Sequence, residues 1–359
     1  MSDDPFVFHA PLKANFQTQW QAPSNIALVK YWGKYGHQLP KNPSISFTLS
    51  RCVTTTAVSF SPRKAKDDHF DFLFDQKKQP DFHFKIQQFL DRIIPYFPAL
   101  ENHHLSISSQ NSFPHSSGIA SSASAMAALS MCIVDFEKQH HLDWSETDFL
   151  QKGSFLARLG SGSAARSISG PLMIWGQSED FPRSKDLYAI TPSLEWHPIF
   201  HDYQDTVLIV DKGQKKVSST MGHGLMNGHP FAEQRFEQAH CSLQQLKTAL
   251  ISGDLEQFMD LTEAEALSLH AMMMTSNPRF VLMQPNTLAI LHKVWDFRNQ
   301  SSLPLCFTLD AGANVHLLYP KQDRIPIMNF IKNELLSHCE HQQYIEDQVG
   351  RGAQKIAFP

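Results

Sequence analysis

The sequence predicts an α+β fold in two halves, and three observations carry that prediction. Alternating β-branched runs and apolar runs of helical period are mixed without a regular βα alternation, which argues against a doubly wound sheet. The chain has 359 residues, enough for two domains or one large bilobal unit. A stretch rich in Pro, His and Tyr from Ser193 to Gln204 is the best candidate boundary. It divides a first half, residues 1–200, from a second, residues 201–359, with a cleft expected between them.

Taken in order, Cys52 to Phe60 alternates and is β-branched, so it predicts a strand. Lys64 to Asp68 reads as a turn, and the alternation resumes in Phe70 to Phe74, suggesting a hairpin. From Phe82 to Ile94 apolar residues recur at helical spacing until Pro95 and Pro98 stop the run. Leu105 to Ser108 is a short strand feeding a Ser-rich loop. After that loop Met126, Leu129, Ile133 and Phe136 lie on one helical face, the spacing of plain core. Thr206 to Val210 and Leu305 to Leu309 are continuous apolar runs, typical of buried strands, and Val315 to Tyr319 returns as another. Phe236 to Leu250, Leu255 to Met274 and Phe330 to His338 read as helices. No repeat period is present.

Apolar residues make up 42% and charged residues 18%, a globular composition, and the net charge is −4. A chain with that balance has no general pull toward nucleic acid or anionic membrane, so an anionic substrate must be gripped by a few local Lys and Arg residues. The five cysteines, Cys52, Cys132, Cys241, Cys306 and Cys339, form no CxxC pair, which argues against a zinc ribbon or disulfide framework and fits a reducing cytoplasm. The acidic start, Met1 to Pro5, lacks a signal-peptide core, and no run reaches membrane-span length. A soluble, cytoplasmic protein is expected. The nineteen histidines are scattered; His223 and His229 could share a metal but read first as hydrogen-bonded or surface residues. The Asn299-Gln300-Ser301 glycosylation match is read as chance.

Four segments have the look of functional loops. Pro114 to Ser124 (PHSSGIASSAS) leads directly into a helix. Such a loop offers unpaired N–H groups and the positive end of the helix dipole, where phosphate is the usual guest, although an ordinary Ser-capped helix fits equally. Asn25 to Lys34 sets Lys30 and Lys34 around the aromatic pair Tyr31-Trp32 on an otherwise apolar strand; alone, it reads first as lysines snorkelling from a strand edge. Gly160 to Ser167 is small and flexible except for Arg166, which can grip a carboxylate or simply sit exposed on a turn. Phe307 to Asn314 puts Asp310 at the end of an apolar strand before a Gly turn, a place for a catalytic carboxylate or a turn-forming one.

In this order and spacing the four segments resemble the GHMP family of small-molecule kinases, and within it the decarboxylases of diphosphomevalonate. The signature N-I-A-x-x-K-Y-W-G-K matches Asn25 to Lys34 at every fixed position, G-S-G-S-A-x-R-S matches Gly160 to Ser167, and D-A-G-x-N matches Asp310 to Asn314. The phosphate loop resembles Asn111 to Ser124; Lys215 to Gly222 and His270-Ala271 also look like family segments, so the resemblance spans most of the chain. It departs in three places: His115-Ser116-Ser117 stands for a Thr-Ala-Ala run, Ala313 for a Pro, and Gly170-Pro171 for a Gly-Gly pair. These touch loop shape rather than charged chemistry.

The resemblance implies a GHMP kinase fold of two lobes with the active site in the cleft, commonly a homodimer. It implies conversion of (R)-5-diphosphomevalonate, with ATP and Mg²⁺, to isopentenyl diphosphate, phosphate, CO2 and ADP. On that reading Asp310 accepts or orients the proton of the 3-hydroxyl, Lys30 lies beside it, and Arg166 holds the departing carboxylate. Asn25 orients Lys30 or the substrate. Tyr31, Lys34, Ser161, Ser163, Ser219 and Thr220 cradle the substrate. Pro114, Ser116, Ser117, Gly118, Ala120, Ser121, Ser122 and Ser124 wrap the ATP phosphates, with Ser121 or Ser122 nearest Mg²⁺. A phosphomevalonate decarboxylase, a mevalonate 3-kinase and a non-catalytic ligand-binding member are the competing readings.

Overall fold

The structure, a computed structural model, describes residues 6–7, 15–64, 68–114, 119–139, 143–213 and 219–358. The first part of the chain runs β1 (Phe16–Ala27), β2 (Ser44–Pro62), β3 (Phe70–Phe74), α1 (Pro80–Ile93), β4 (His103–Asn111), α2 (Ser121–Lys138), α3 (Glu146–Gly160) and β5 (Leu172–Trp175). The second runs β6 (Gln204–Leu208), α4 (Ser219–Gly224), α5 (Ala232–Ser252), α6 (Leu255–Thr275), α7 (Pro285–Ser301), β7 (Cys306–Thr308), β8 (Val315–Tyr319), α8 (Arg324–Phe330), β9 (Tyr344–Gln348) and β10 (Gln354–Ile356).

Among the described residues the first sheet has the order β10-β1-β2-β4-β3, with the two-residue strand Lys77–Lys78 antiparallel at the edge beside β3 and β5 pairing the start of β2. Its inward residues, among them Trp20, Val58, Phe60, Leu105 and Ile107, pack against α1, α2 and α3 through Phe89, Phe136 and Phe155. The alternation in Cys52 to Phe60 is this one-sided burial: every second side chain is buried and the others are partly exposed. The second sheet has the order β7-β8-β6-β9 and is covered on both faces. Val207, Cys306 and Leu318 face Phe47, Phe200 and Phe258, whereas Leu208, Phe307 and Leu317 face Ile290, Val294 and Ile327. Burial on both faces explains why its strands read as continuous apolar runs.

Two readings of the sequence need correction, and a third needs its bounds extended. Phe70–Phe74 does not fold back on β2; it lies parallel to β4, Phe70 opposite Leu105, with α1 as the crossover. Alternation identifies a strand but not its partner, and a parallel partner requires such a crossover. The helix expected over Phe330 to His338 is present but begins earlier, at Arg324, and its hydrogen bonding widens over Ile331–Leu335 and tightens over Leu336–His338. Finally, Leu28 to Lys34 is not continuous strand; β1 ends at Ala27, and Lys30 lies in an irregular segment beyond it.

The end of the chain completes the first sheet, since β10 pairs with β1. On the way the carboxylate of Asp347 accepts the N–H groups of Ser50, Arg51 and Cys52 at 2.7–2.8 Å, satisfying β2 where it kinks. Gly350 then donates to the carbonyl of Thr48 at 2.8 Å, and Ala353 to that of Ile168 at 2.8 Å. A Cβ at Gly350 would come within 2.5 Å of the Ser50 backbone, where nothing can yield cheaply. Gly350→Ala is therefore expected to cost about 1–3 kcal/mol by overpacking. Thermal unfolding reads this as a lowered Tm, and an unchanged Tm would contradict the close approach.

Candidate active site

Lys30 and Asp310 come together from the two sheets: Lys30 follows β1 and Asp310 follows β7. Lys30 Nζ donates to Asp310 Oδ1 at 3.0 Å. The lysine side chain is 2% exposed and the aspartate 24%, so the pair is closed behind Lys30 and open in front of Asp310. Burial pushes the Lys30 ammonium below the ordinary lysine range; Asp310 and then Glu265 oppose the shift, and Arg166 adds to it.

The peptide of Lys30 is itself held on both sides. Its N–H donates to Glu265 Oε2 at 2.8 Å, and its carbonyl accepts from Asn42 Nδ2 at 3.0 Å and Arg235 at 3.3 Å. Arg235 and Glu265 are paired at 2.6 Å with both side chains buried.

Arg166 lies in the tight turns that follow α3. Its Nε donates to Ser46 Oγ at 3.2 Å and one terminal nitrogen to Asn25 Oδ1 at 3.3 Å. Asn25 in turn donates to Ser167 Oγ at 2.8 Å and the Ser163 carbonyl at 3.1 Å. Asn25 therefore aims Arg166 rather than Lys30. The remaining terminal nitrogen, Nη1, is buried without a hydrogen-bond partner, as is the Tyr31 hydroxyl. Orphaned buried donors are rare, and two beside one ion pair mark a place built for an acceptor. Burial lowers the Arg166 guanidinium to about 10, with Asp310 and then Tyr31 opposing the shift.

Tyr31 packs edge-on against Trp175 with ring centroids 4.8 Å apart. A Cβ on Gly162 would meet its hydroxyl at 2.8 Å, so a residue without a side chain is needed there. His223 is wedged between Tyr31 and Trp32, 4.2 and 4.5 Å from their centroids. Its Nδ1 accepts from the Gly33 N–H at 3.0 Å, which leaves the proton of the neutral ring on Nε2. Burial, with Lys34 and Arg166 nearby, lowers its pKa to about 3, so it is neutral at physiological pH. The ring of His229 is engaged elsewhere, with Phe231 N–H, the Met272 carbonyl and Thr275. No metal-holding cluster of His, Cys, Asp and Glu occurs among the described residues. Lys34, half-buried, donates to Gln38 at 3.0 Å.

The start of α2 is capped by Ala120 in the left-handed conformation, with no side-chain cap. Neither Ser121 nor Ser122 is spent on capping, contrary to the ordinary Ser-capped helix. Ser122 Oγ lies 3.4 Å from Ser161 Oγ, which lies 3.4 Å from Ser163 Oγ. Uncapped helix N–H groups and a row of hydroxyls suit the phosphates of a nucleotide, and Ser121 and Ser122 suit a magnesium ion bound with them. Ser124 stands apart: it is fully buried and bonds Thr54 at 2.6 Å, so its hydroxyl supports the helix instead of a ligand. Ser116, Ser117 and Gly118 lie outside the described residues, as do the side chains of Ser219 and Thr220. Pro114 is at the near edge of that loop.

A buried lysine–aspartate pair, an arginine with a buried unpartnered nitrogen and an uncapped helix start sit in a mixed α/β fold of the GHMP kinase class. Residues 22–189 match the diphosphomevalonate decarboxylase-like N-terminal domain, and residues 206–357 the mevalonate 5-diphosphate decarboxylase C-terminal domain. The diphosphomevalonate decarboxylase of Candida albicans is 30% identical over 326 residues, 86% of each chain. The solved mevalonate diphosphate decarboxylase of Staphylococcus aureus superimposes with a TM-score of 0.82 at 28% identity, covering 96% of this chain and 98% of that one. MDDEF in complex with MVAPP, AMPPCP and magnesium also scores 0.82, at 27% identity, over 96% of this chain and all of that one. The chain belongs to the diphosphomevalonate decarboxylase family.

The sequence reading missed Glu265, Arg235 and Asn42, which hold the Lys30 peptide, and gave His223 no place in the site, reading it first as a hydrogen-bonded or surface residue and otherwise as a metal ligand. His223 had one signal, its position just past the Ser219-Thr220 segment.

Proposed function

We propose that the chain catalyses the ATP-dependent decarboxylation of (R)-5-diphosphomevalonate to isopentenyl diphosphate, phosphate, CO2 and ADP. The observation that carries this reading is the juxtaposition of the Lys30–Asp310 pair with the unpartnered nitrogen of Arg166. A phosphoryl transfer needs a carboxylate at the attacking hydroxyl, and a decarboxylation needs a cation at the departing carboxylate. The site offers both.

Magnesium-bound ATP supplies the γ-phosphoryl group that turns the tertiary 3-hydroxyl into a leaving group; Ser121, Ser122 and the start of α2 would hold it. Asp310 takes the hydroxyl proton as the oxygen bonds to phosphorus. Lys30 keeps Asp310 ionised and offsets charge shifting during transfer. Arg166, aimed by Asn25, fixes the carboxylate in line with the C–O bond that breaks as phosphate leaves. The C–C bond electrons then form the new double bond, and CO2 departs. Tyr31, Lys34, Ser161, Ser163, Ser219 and Thr220 form the cradle for the diphosphate.

The reading also places the protein in the cytoplasm as a homodimer. Five free cysteines, four of them buried, suit a reducing compartment, and no helix among the described residues is long and apolar enough to cross a membrane.

The test is ADP and CO2 release with Mg-ATP and either 5-diphosphomevalonate or 5-phosphomevalonate. Equal ADP and CO2 with the diphosphate alone is expected. The same yield with the monophosphate would move the assignment to a phosphomevalonate decarboxylase, and ADP without CO2 to a 3-kinase.

A further inference from the structure

The two halves of the Lys30–Asp310 pair are held by the same helix. Within α6, Glu265 accepts the Lys30 N–H at 2.8 Å, and five residues later His270 Nε2 donates to the Asp310 carbonyl at 3.1 Å. Two residues before Glu265, Glu263 accepts from Arg298 at 2.6 Å and from the Phe307 N–H at 3.4 Å, on the strand that leads to Asp310. Glu265 and His270 are 0% and 1% exposed, so water competes with neither bond. Arg235 on α5 then locks Glu265 with a two-nitrogen grip at 2.6 and 3.3 Å.

We propose that α6 positions the catalytic pair, Glu265 fixing the backbone of Lys30 and His270 that of Asp310, so that one rigid helix sets the separation of their side chains. This rests on the reading of Lys30 and Asp310 as the reacting pair. Nothing in the bonding requires Glu265 or His270 to touch substrate; both act on peptide groups, and both are positioning residues. The arrangement is economical because the two catalytic groups are 280 residues apart in the chain and belong to different sheets. Each peptide is referenced to one helix, so a shift between the sheets cannot open the pair unless α6 moves as well.

Glu265 has a second effect. Lys30 faces Asp310 from the loop after β7, Glu265 from α6, Arg235 from α5, Arg166 from the turns after α3, and Asp205 from β6; of the carboxylates, Glu265 is the one that also holds the Lys30 peptide. Neutralising it removes support for the charged lysine, which then sheds its proton at lower pH.

The test measures ADP and CO2 release against pH for Glu265→Gln, His270→Ala and His270→Gln. Glu265→Gln retains an acceptor for the Lys30 N–H but no charge. Its basic limb is expected to move down by about one pH unit, with kcat reduced and KM little changed. His270→Ala removes one donor from a carbonyl that also accepts from Gly312 N–H at 2.7 Å, so kcat is expected to fall by about five- to tenfold. His270→Gln, whose amide nitrogen reaches the same place, restores most of it. A lowered Tm with an unmoved pH profile in Glu265→Gln, or equal losses in the two His270 variants, would overturn the proposal. If Glu265→Gln fails to fold, the His270 pair decides alone. Asp310→Asn run alongside separates the two readings: if it keeps activity, the catalytic assignment fails; if it alone is inactive, only the positioning role of α6 fails.

Discussion

Asp310→Asn is expected to lower turnover by about 10²- to 10⁴-fold, the range for removing a general base, while leaving substrate affinity within a few-fold. The amide has nearly the same shape and still offers an oxygen to Lys30 Nζ, now 3.0 Å away, so the variant isolates charge and basicity from packing. Two losses coincide. The 3-hydroxyl has no acceptor for its proton, and the cations Lys30 and Arg166 lose the anion that opposes their burial-driven pKa depression. Removing one partner of a buried ion pair is normally costly. Here Lys30 can shed its proton more readily than an ordinary lysine, because burial has already lowered its pKa, so the fold is expected to survive above neutral pH. Single-turnover measurement of ADP formation, with calorimetric titration of diphosphomevalonate, checks both halves. Activity above a tenth of wild type would remove Asp310 as the proton acceptor.

Arg166 and Asp310 stood out as candidates in the sequence because of their small or turn-forming neighbours, whereas Lys30 and Asn25, among apolar and aromatic residues, were singled out through the resemblance. The Gly160 to Ser167 run has a single charged residue in an otherwise small segment, and Asp310 ends a buried strand at a Gly turn. Their mutual distance was not legible from any one segment; it came only with the resemblance. Glu265 was hidden for a different reason. In Leu261-Thr262-Glu263-Ala264-Glu265-Ala266 a glutamate looks like the solvated face of a helix, and only the docking of α5, α6 and the Lys30 segment buries it. The fold shows the same division. Apolar period fixed α1, α2, α5 and α6 to within a few residues, since period is a local property. Strand partnership is not local, so the apparent Phe70 to Phe74 hairpin became a parallel neighbour of β4. Ser124 erred in the same way, as a loop-like residue whose place one turn into α2 turns it toward Thr54.

Arg166→Gln is expected to separate function from stability more sharply than any other substitution in the site. Arg166 is 2% exposed, with one terminal nitrogen satisfied by Asn25, its Nε by Ser46, and Nη1 by nothing. An unsatisfied buried donor costs about 1–3 kcal/mol, a strain that a ligand carboxylate would relieve. The shorter amide can still serve Asn25 and carries neither the orphaned nitrogen nor the buried charge. Stability is therefore expected to change by less than about 1 kcal/mol in either direction. Activity behaves differently. Charge-assisted bonds to a carboxylate contribute about 1.5–3 kcal/mol each, and losing the one or two that the free nitrogen and its neighbour can make predicts a fall in kcat/KM of about 10²- to 10³-fold. A diphosphate analogue lacking the carboxylate gives the control: wild type and variant should bind it equally, because the group that Arg166 serves is missing. Unequal binding of that analogue would mean that Arg166 grips the diphosphate instead. A Tm that falls in step with activity would mean that its bonds to Asn25 and Ser46 are its whole purpose.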